Sequence, residues 1–133
     1  MIILDTDCLS LLNRERLLES SKLRQRLEQF SPDELFTTII TFEEQMRGWM
    51  AFIAKAKTIE QQIYAYERLH RSLEAYSNTT VLDFDENAAK TFQDLKSQKI
   101  RIGSMDLKIA SIAISRKAIL VSRNLKDYEQ VPN

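Results

Sequence analysis

Acidic side chains occur at four widely separated places in this chain, each next to a short apolar run or at the start of a helical pattern. Carboxylates that gather in one place repel one another and need a cation, and their oxygens suit Mg²⁺ or Mn²⁺. Such an ion polarises a phosphoryl oxygen and activates a water. If the four places converge, they predict metal-dependent hydrolysis of a phosphodiester. The side chains are Asp5 and Asp7, Glu43 and Glu44, Asp106, and Asp127 with Asn124 close by.

The pattern of apolar residues predicts how these acids are positioned. Short apolar runs alternate with helical periodicity, which is typical of an α/β fold with helices on both faces of a parallel sheet. Ligands bind at the carboxyl ends of such strands, and all four acidic places fall at that edge. We predict strands over residues 2–4, 35–40, 81–84 and 119–121. We predict helices over residues 17–30, 41–56 and 58–77, from the cap Asp85 to residue 99, and from Asp106.

Most of the acids also have a structural interpretation. Asp7 and Asp106 can cap helices, and Asp106 can also interact favourably with a helix dipole. Thr41 and Glu44 have the spacing of a capping box. Asp5 is the hardest to explain in this way, because it ends an apolar strand, where an unpaired carboxylate is costly. The joint placement favours a functional site, since independent caps need not share one edge of a sheet.

Charged residues near the acids allow further interpretations of Asp127 and of how a substrate would bind. Asp127 can be a surface acid paired with Lys126 or Arg123. Arg47 or Arg123 can instead steady a phosphate, to which the guanidinium geometry is suited. Asp7 can support the metal ligands without binding the metal.

The composition excludes several other classes of protein. The 133 residues suffice for one domain, which we place over residues 1–133. Nineteen basic and nineteen acidic residues give no net charge, which excludes a wholly basic nucleic-acid coat. The single cysteine, Cys8, excludes an internal disulfide framework, and the single histidine, His70, has no nucleophile motif near it. The sequence has no apolar run long enough to span a membrane, and we predict a cytoplasmic protein.

Four segments of the sequence resemble PIN-domain proteins, and specifically the VapC-type toxins of type II toxin–antitoxin pairs. The resemblance covers nearly the whole chain, and the segments occur in the family's order. In the second segment the family's acid stands four residues before a glycine, which assigns the role to Glu44 rather than Glu43. The segments are ILDTDCLSLL from residue 3, TFEEQMRG from residue 41, DLKIASIA from residue 106 and LVSRNLKDYEQVP from residue 120.

The resemblance implies a three-layer α/β/α sandwich with a helical arm, and a Mg²⁺- or Mn²⁺-dependent endoribonuclease. The implied substrates are structured RNAs such as tRNA or rRNA. The implied partners are a second copy in a homodimer and a cognate antitoxin that blocks the site. The implied catalytic and metal-binding residues are Asp5, Glu44, Asp106 and Asp127. We expect Asp7, Asn124 and Arg47 to support them.

The sequence departs from the family pattern at two points. The fourth acid of the family is often at the position of Asn124, which leaves Asp127 to supply the charge. The sequence is therefore compatible with either one or two bound metal ions. The sequence also ends at Asn133, where relatives usually continue into a short last strand. Either the protein is naturally shorter than its relatives, or its sheet edge is trimmed, which would weaken a dimer or the packing of that edge.

Two other functions are compatible with these residues. Asp5 and Asp7 have the paired spacing of the aspartate-nucleophile phosphohydrolases, although Leu9 stands where that class has Thr or Val. Asn124 in place of an acid suits a catalytically weakened PIN fold that binds RNA or a protein. Turnover of RNA distinguishes the nuclease from such a binding module.

A helical arm is the predicted surface for the antitoxin. The arm runs from Trp49 to Tyr76. Aromatic side chains such as Tyr64 and Tyr66 would suit an interface with an extended or helical segment of a partner.

Overall fold

A parallel sheet forms the centre of the fold. The computed structural model describes residues 1–6, 25–28 and 30–121. Its strands are β1 (Ile2–Leu4), β2 (Leu35–Thr38), β3 (Thr80–Leu82) and β4 (Ile119–Val121). They pair in parallel in the order β3-β2-β1-β4. The predicted α/β fold around a parallel sheet is confirmed.

Helices connect the strands in the described part of the chain. A single turn of 3-10 helix, Pro32–Glu34, leads into β2. The α-helices are α1 (Ile39–Lys55), α2 (Ile59–Ser77), α3 (Glu86–Ser97) and α4 (Ser104–Ser115). The first two pack together across a short link and form the predicted helical arm, while α3 packs on α4.

The two faces of the sheet are covered by different parts of the chain. Side chains alternate along a strand, so neighbouring residues of β1 face opposite sides. Ile3 is buried in a cluster that includes Ile40 of α1 and Ile109 of α4. Leu4 packs instead against Leu27. With one apolar cluster on each face, the sheet is the middle of the predicted three-layer arrangement.

The boundary between β2 and α1 differs from the prediction. Residues 39 and 40 begin the helix and do not extend the strand, so the predicted strand over residues 35–40 is wrong at its end. The cause is Thr38, whose hydroxyl accepts a hydrogen bond from the backbone N–H of Thr41 at 3.0 Å. β-branched residues favour strands locally, but this cap begins the helix.

The region of β3 and α3 shows smaller differences. The strand covers residues 80–82 and not 81–84. Asp85 caps the helix as predicted, since its carboxylate accepts a backbone N–H at 2.9 Å. The helix ends at Ser97, two residues before the predicted end, because Lys99 has a φ of 56°, which a right-handed helix does not allow.

Of the remaining predicted elements, one is confirmed, one begins at a different residue, and others lie mostly outside the described residues. β4 lies where it is predicted, whereas α4 begins at Ser104 and not at Asp106. Most of the predicted helix over residues 17–30 lies outside the described residues, as does the segment 122–133. In the part of the chain that the structure describes, every helix is too short or too polar to cross a membrane.

Candidate active site

Asp5 lies directly after β1, at the carboxyl edge of the sheet. Its backbone N–H donates to the carbonyl oxygen of Val121 at 3.2 Å, so the pairing between β1 and β4 continues to this residue. Only 4% of its surface is exposed. A carboxylate at this depth is costly unless its charge is compensated. Asp5 therefore has the burial and the position of a ligand for a cation.

Glu44 reaches the same edge from α1. The hydroxyl of Thr6 donates to Glu44 Oε1 at 3.2 Å across 38 residues of sequence. Thr6 follows Asp5 in the chain, so this hydrogen bond brings the end of β1 and the second turn of α1 together. The capping-box interpretation of Thr41 and Glu44 is wrong, because Thr38 is the N-cap and Glu44 is the sixth residue of the helix.

Glu43 and Glu44 are adjacent in sequence but have different surroundings. Glu43 Oε2 lies 2.6 Å from Arg47 Nη2, one turn further along α1. Both members of this ion pair are exposed, with 39% of the Glu43 side chain and 71% of the Arg47 side chain accessible. Glu44 accepts instead from Thr6 at the sheet edge. Arg47 therefore lies on the outer surface of α1, and Glu44 as the acid of the site stays a prediction.

Asp106 lies in the first turn of α4. The interpretation of Asp106 as a cap is wrong, because Gly103 occupies that position and makes no side-chain hydrogen bond. A carboxylate in the first turn interacts favourably with the helix dipole, as the alternative interpretation expected. The helix packs against β4, which it precedes by a short turn, and so it runs antiparallel to that strand. Its first turn therefore lies toward the carboxyl edge of the sheet.

A divalent cation fits these residues by their chemistry. Asp5, Glu44 and Asp106 supply carboxylate oxygens, which Mg²⁺ and Mn²⁺ prefer. Within residues 1–6, 25–28 and 30–121, no three His, Cys, Asp or Glu side chains lie in an arrangement that could hold a metal ion. The fourth predicted ligand, Asp127, lies outside the described residues, and so do Asp7 and Asn124. The ligand set therefore stays a prediction.

Two residues that the sequence analysis did not assign to the site lie beside Glu44. One is Thr6, and the only signal for it in the sequence is a hydroxyl next to the first acid. The other is Tyr76, in the last turn of α2, which is 8% exposed. Burial raises the pKa of its phenol, and the nearby charge of Glu44 raises this pKa further. Tyr76 follows Glu44 by 32 residues, and no local pattern predicts their proximity.

Comparisons with known proteins agree on one family. A profile described as "PIN domain" matches residues 2–132. Ribonuclease VapC1 of Haemophilus influenzae strain R2866 is 30% identical to this chain over 131 residues, which cover 97% of this chain and 90% of that protein.

Solved structures agree with the sequence comparison. A chain of VapBC-1 from nontypeable Haemophilus influenzae is 29% identical and has a TM-score of 0.67. A chain of DNA-bound VapBC from Salmonella typhimurium is 25% identical and has a TM-score of 0.75. Each alignment covers 98% of this chain and 92% of the other chain. The similarity therefore extends over nearly the whole of each protein.

Proposed function

This chain belongs to the PIN domain family, and we propose that it is a metal-dependent endoribonuclease that acts as the toxin of a toxin–antitoxin pair. Similarity to a ribonuclease at 30% identity over 97% of the chain supports the nuclease part of the proposal. Similarity to VapBC assemblies supports the toxin part. Membership of this family sets aside the aspartate-nucleophile alternative.

One observation carries the proposal for the site: Thr6 joins the end of β1 to Glu44 at 3.2 Å, next to the buried carboxylate of Asp5. The first and second acids of the family pattern therefore share the edge of a parallel sheet where ligands bind. Asp106 lies in the first turn of α4. We assign catalysis to these three acids with Asp127, and supporting roles to Asp7, Asn124 and Arg47.

The side chains of this site would hold Mg²⁺ or Mn²⁺. When bound, the ion supplies a polarised phosphoryl oxygen and an activated water for hydrolysis of the phosphodiester. Asp5 contributes a carboxylate that β4 fixes through the backbone hydrogen bond to Val121. Glu44 contributes a second carboxylate from α1, which directly follows β2, so the pairing of β1 with β2 relates the backbone positions of the two acids.

The proposal extends to the partners. We propose that residues 1–133 form one domain, that the RNA substrate is a structured RNA such as tRNA or rRNA, and that the protein acts in the cytoplasm. We also propose a homodimer and a cognate antitoxin. One chain of each of the two VapBC structures is matched over 92% of its length, and this similarity supports the antitoxin.

The helical arm is the surface that we propose for the antitoxin. Phe52, Tyr64 and Tyr66 are all exposed on α1 and α2. Trp49 and Phe52 pack edge to face with centroids 5.8 Å apart, and the Phe52 and Tyr64 rings are 6.0 Å apart. Rigid aromatic groups of this kind suit a protein interface. An antitoxin complex in which the Trp49 region stays accessible to solvent would contradict this assignment.

Cleavage of RNA by Glu44→Gln and Glu43→Gln variants tests the proposed function. Both substitutions replace a carboxylate by an amide of the same shape on the same helix. With a tRNA pool and Mn²⁺, we expect the wild type and Glu43→Gln to cleave, Glu44→Gln to lose cleavage, and EDTA to abolish it. A folded wild-type protein that binds RNA without turnover would instead support the binding module.

A further inference from the structure

We infer that Thr6 is a positioning residue, whose hydroxyl fixes the carboxylate of Glu44 for metal binding at the proposed site. The inference rests on the proposed function and adds a residue to its machinery. It starts from the hydrogen bond between Thr6 Oγ1 and Glu44 Oε1, which is 3.2 Å long and partly buried.

The donor side of this hydrogen bond is firmly held. Thr6 follows Asp5, whose backbone N–H is bonded to Val121 and whose side chain is buried. Threonine is branched at Cβ, so its χ1 has few accessible values and its hydroxyl direction follows the backbone closely. The position of β1 therefore fixes the position of the hydroxyl, and the hydroxyl in turn orients the group that accepts its hydrogen bond.

The acceptor side needs this restraint. A glutamate has three rotatable bonds, and fixing a side chain of this length carries one of the larger entropy costs among the amino acids. In the second turn of α1, backbone geometry alone leaves several staggered rotamers open to Glu44. The hydrogen bond from Thr6 to one carboxylate oxygen of Glu44 selects among them. Residues that orient a metal ligand in this way strongly affect metal affinity.

The chemistry of the donor suits a metal site. Threonine donates without a positive charge, so this contact orients the carboxylate and leaves its charge unchanged. The neighbouring Glu43 shows the contrast, since its partner is the guanidinium of Arg47 at 2.6 Å. A cationic partner offsets the charge that a carboxylate offers to a metal ion. Thr6 is thus a neutral donor to Glu44, whereas Arg47 is a charged donor to Glu43.

The test compares Thr6→Val with Thr6→Ser. Valine keeps the shape of threonine and removes the hydroxyl, whereas serine keeps the hydroxyl. Mn²⁺ binding is titrated through the paramagnetic resonance signal of free Mn²⁺, independently of cleavage. We expect Thr6→Val to weaken Mn²⁺ affinity roughly tenfold or more and to lower kcat with KM for RNA retained. We expect Thr6→Ser to retain the wild-type affinity.

A matched control separates positioning from packing. The hydroxyl of Thr37, on the neighbouring strand β2, donates to the backbone carbonyl of Leu4 at 3.5 Å and is more deeply buried than that of Thr6. Thr37→Val removes a hydroxyl without touching a carboxylate, so it shifts the melting temperature and leaves Mn²⁺ affinity unchanged. If Thr6→Val does not fold, Thr6→Ala replaces it in the same comparison.

The outcomes separate this inference from the proposed function. Wild-type affinity in a hydroxyl-free variant would overturn the inference, and so would a Thr6→Ser variant as weak as Thr6→Val, while cleavage by the wild type would keep the proposed function. A wild type that neither binds Mn²⁺ nor cleaves RNA would overturn the proposed function, and the inference with it.

Discussion

The ring of Tyr76 stands edge-on to the ring of Phe42, with their centroids 5.0 Å apart and their planes at 80°. This contact joins the last turn of α2 to the first turn of α1, close to Glu44. The Tyr76 hydroxyl is buried and has no hydrogen-bond partner within the described part of the chain. The ring therefore stabilises the packing of the arm, while the hydroxyl carries a desolvation cost.

Tyr76→Phe is predicted to stabilise the protein. The substitution keeps the contact with Phe42 and removes a buried hydroxyl that lacks a partner, which costs about 1–3 kcal/mol. We expect the free energy of unfolding, measured with urea, to rise by about 1 kcal/mol. This value is the lower end of the range, because partial relaxation around the hydroxyl reduces its cost. A loss of stability on this substitution would show that the hydroxyl has a partner in solution.

An alkaline titration tests the surroundings of the same phenol. Burial, and then the charge of Glu44, raise the pKa of Tyr76 above the ordinary value of about 10. The folded state thus favours the neutral phenol more than the unfolded state does. Below the ordinary pKa this preference leaves the free energy of unfolding unchanged, and as the pH rises above that value it lowers the free energy of unfolding. We expect the alkaline unfolding midpoint, followed by circular dichroism, to lie at a higher pH in Tyr76→Phe. An unchanged midpoint would contradict this account.

The cap of α2 gives a prediction about stability alone. The Thr58 hydroxyl accepts the backbone N–H of Gln61 at 3.1 Å, and the Gln61 side chain accepts the backbone N–H of Thr58 at 3.3 Å. We expect Thr58→Ala to lower the free energy of unfolding by about 1 kcal/mol. Thr58→Ser keeps a capping hydroxyl and serves as the control. Equal stability of the alanine and serine variants would contradict a role for the cap.

The elements nearest to strong local signals are the ones that the sequence predicts well. The apolar run of β1 and the cap of α3 at Asp85 depend on neighbouring residues, and both are confirmed. Ile39 and Ile40 have the local preference of a strand, but the cap at Thr38 places them in a helix, where Ile40 reaches the core. Local propensity is weak enough for one cap and tertiary burial to override it.

In the candidate site, too, some positions follow from the order of the elements, whereas some contacts depend on tertiary packing. The positions of Asp5 and Glu44 follow from the order of strands and helices, because a parallel sheet brings the ends of its strands to one edge. The contact between Thr6 and Glu44 depends on two side-chain directions 38 residues apart, and no spacing in the sequence encodes it. The same holds for Tyr76, whose pairing with Phe42 depends on how α1 and α2 pack.

Arg47 gives a prediction that separates RNA binding from stability. Its ion pair with Glu43 is exposed, and such pairs contribute less than about 1 kcal/mol. If Arg47 contacts an RNA phosphate, Arg47→Ala raises KM and lowers the slope of log affinity against log salt by about 1. Glu43→Gln breaks the same ion pair and keeps the guanidinium, so it is the control. Equal KM values for the two variants would remove Arg47 from the proposed site.

The central claim is that Asp5 and Asp106 belong to one metal-dependent ribonuclease site. Its most direct test is RNA cleavage by the wild type and by Asp5→Asn and Asp106→Asn, with growth followed on induced expression. Asp85→Asn is the control, because asparagine caps a helix as well as aspartate. We predict growth arrest and Mg²⁺- or Mn²⁺-dependent cleavage for the wild type and Asp85→Asn only. Folded Asp5→Asn protein that cleaves RNA as fast as the wild type would contradict the account.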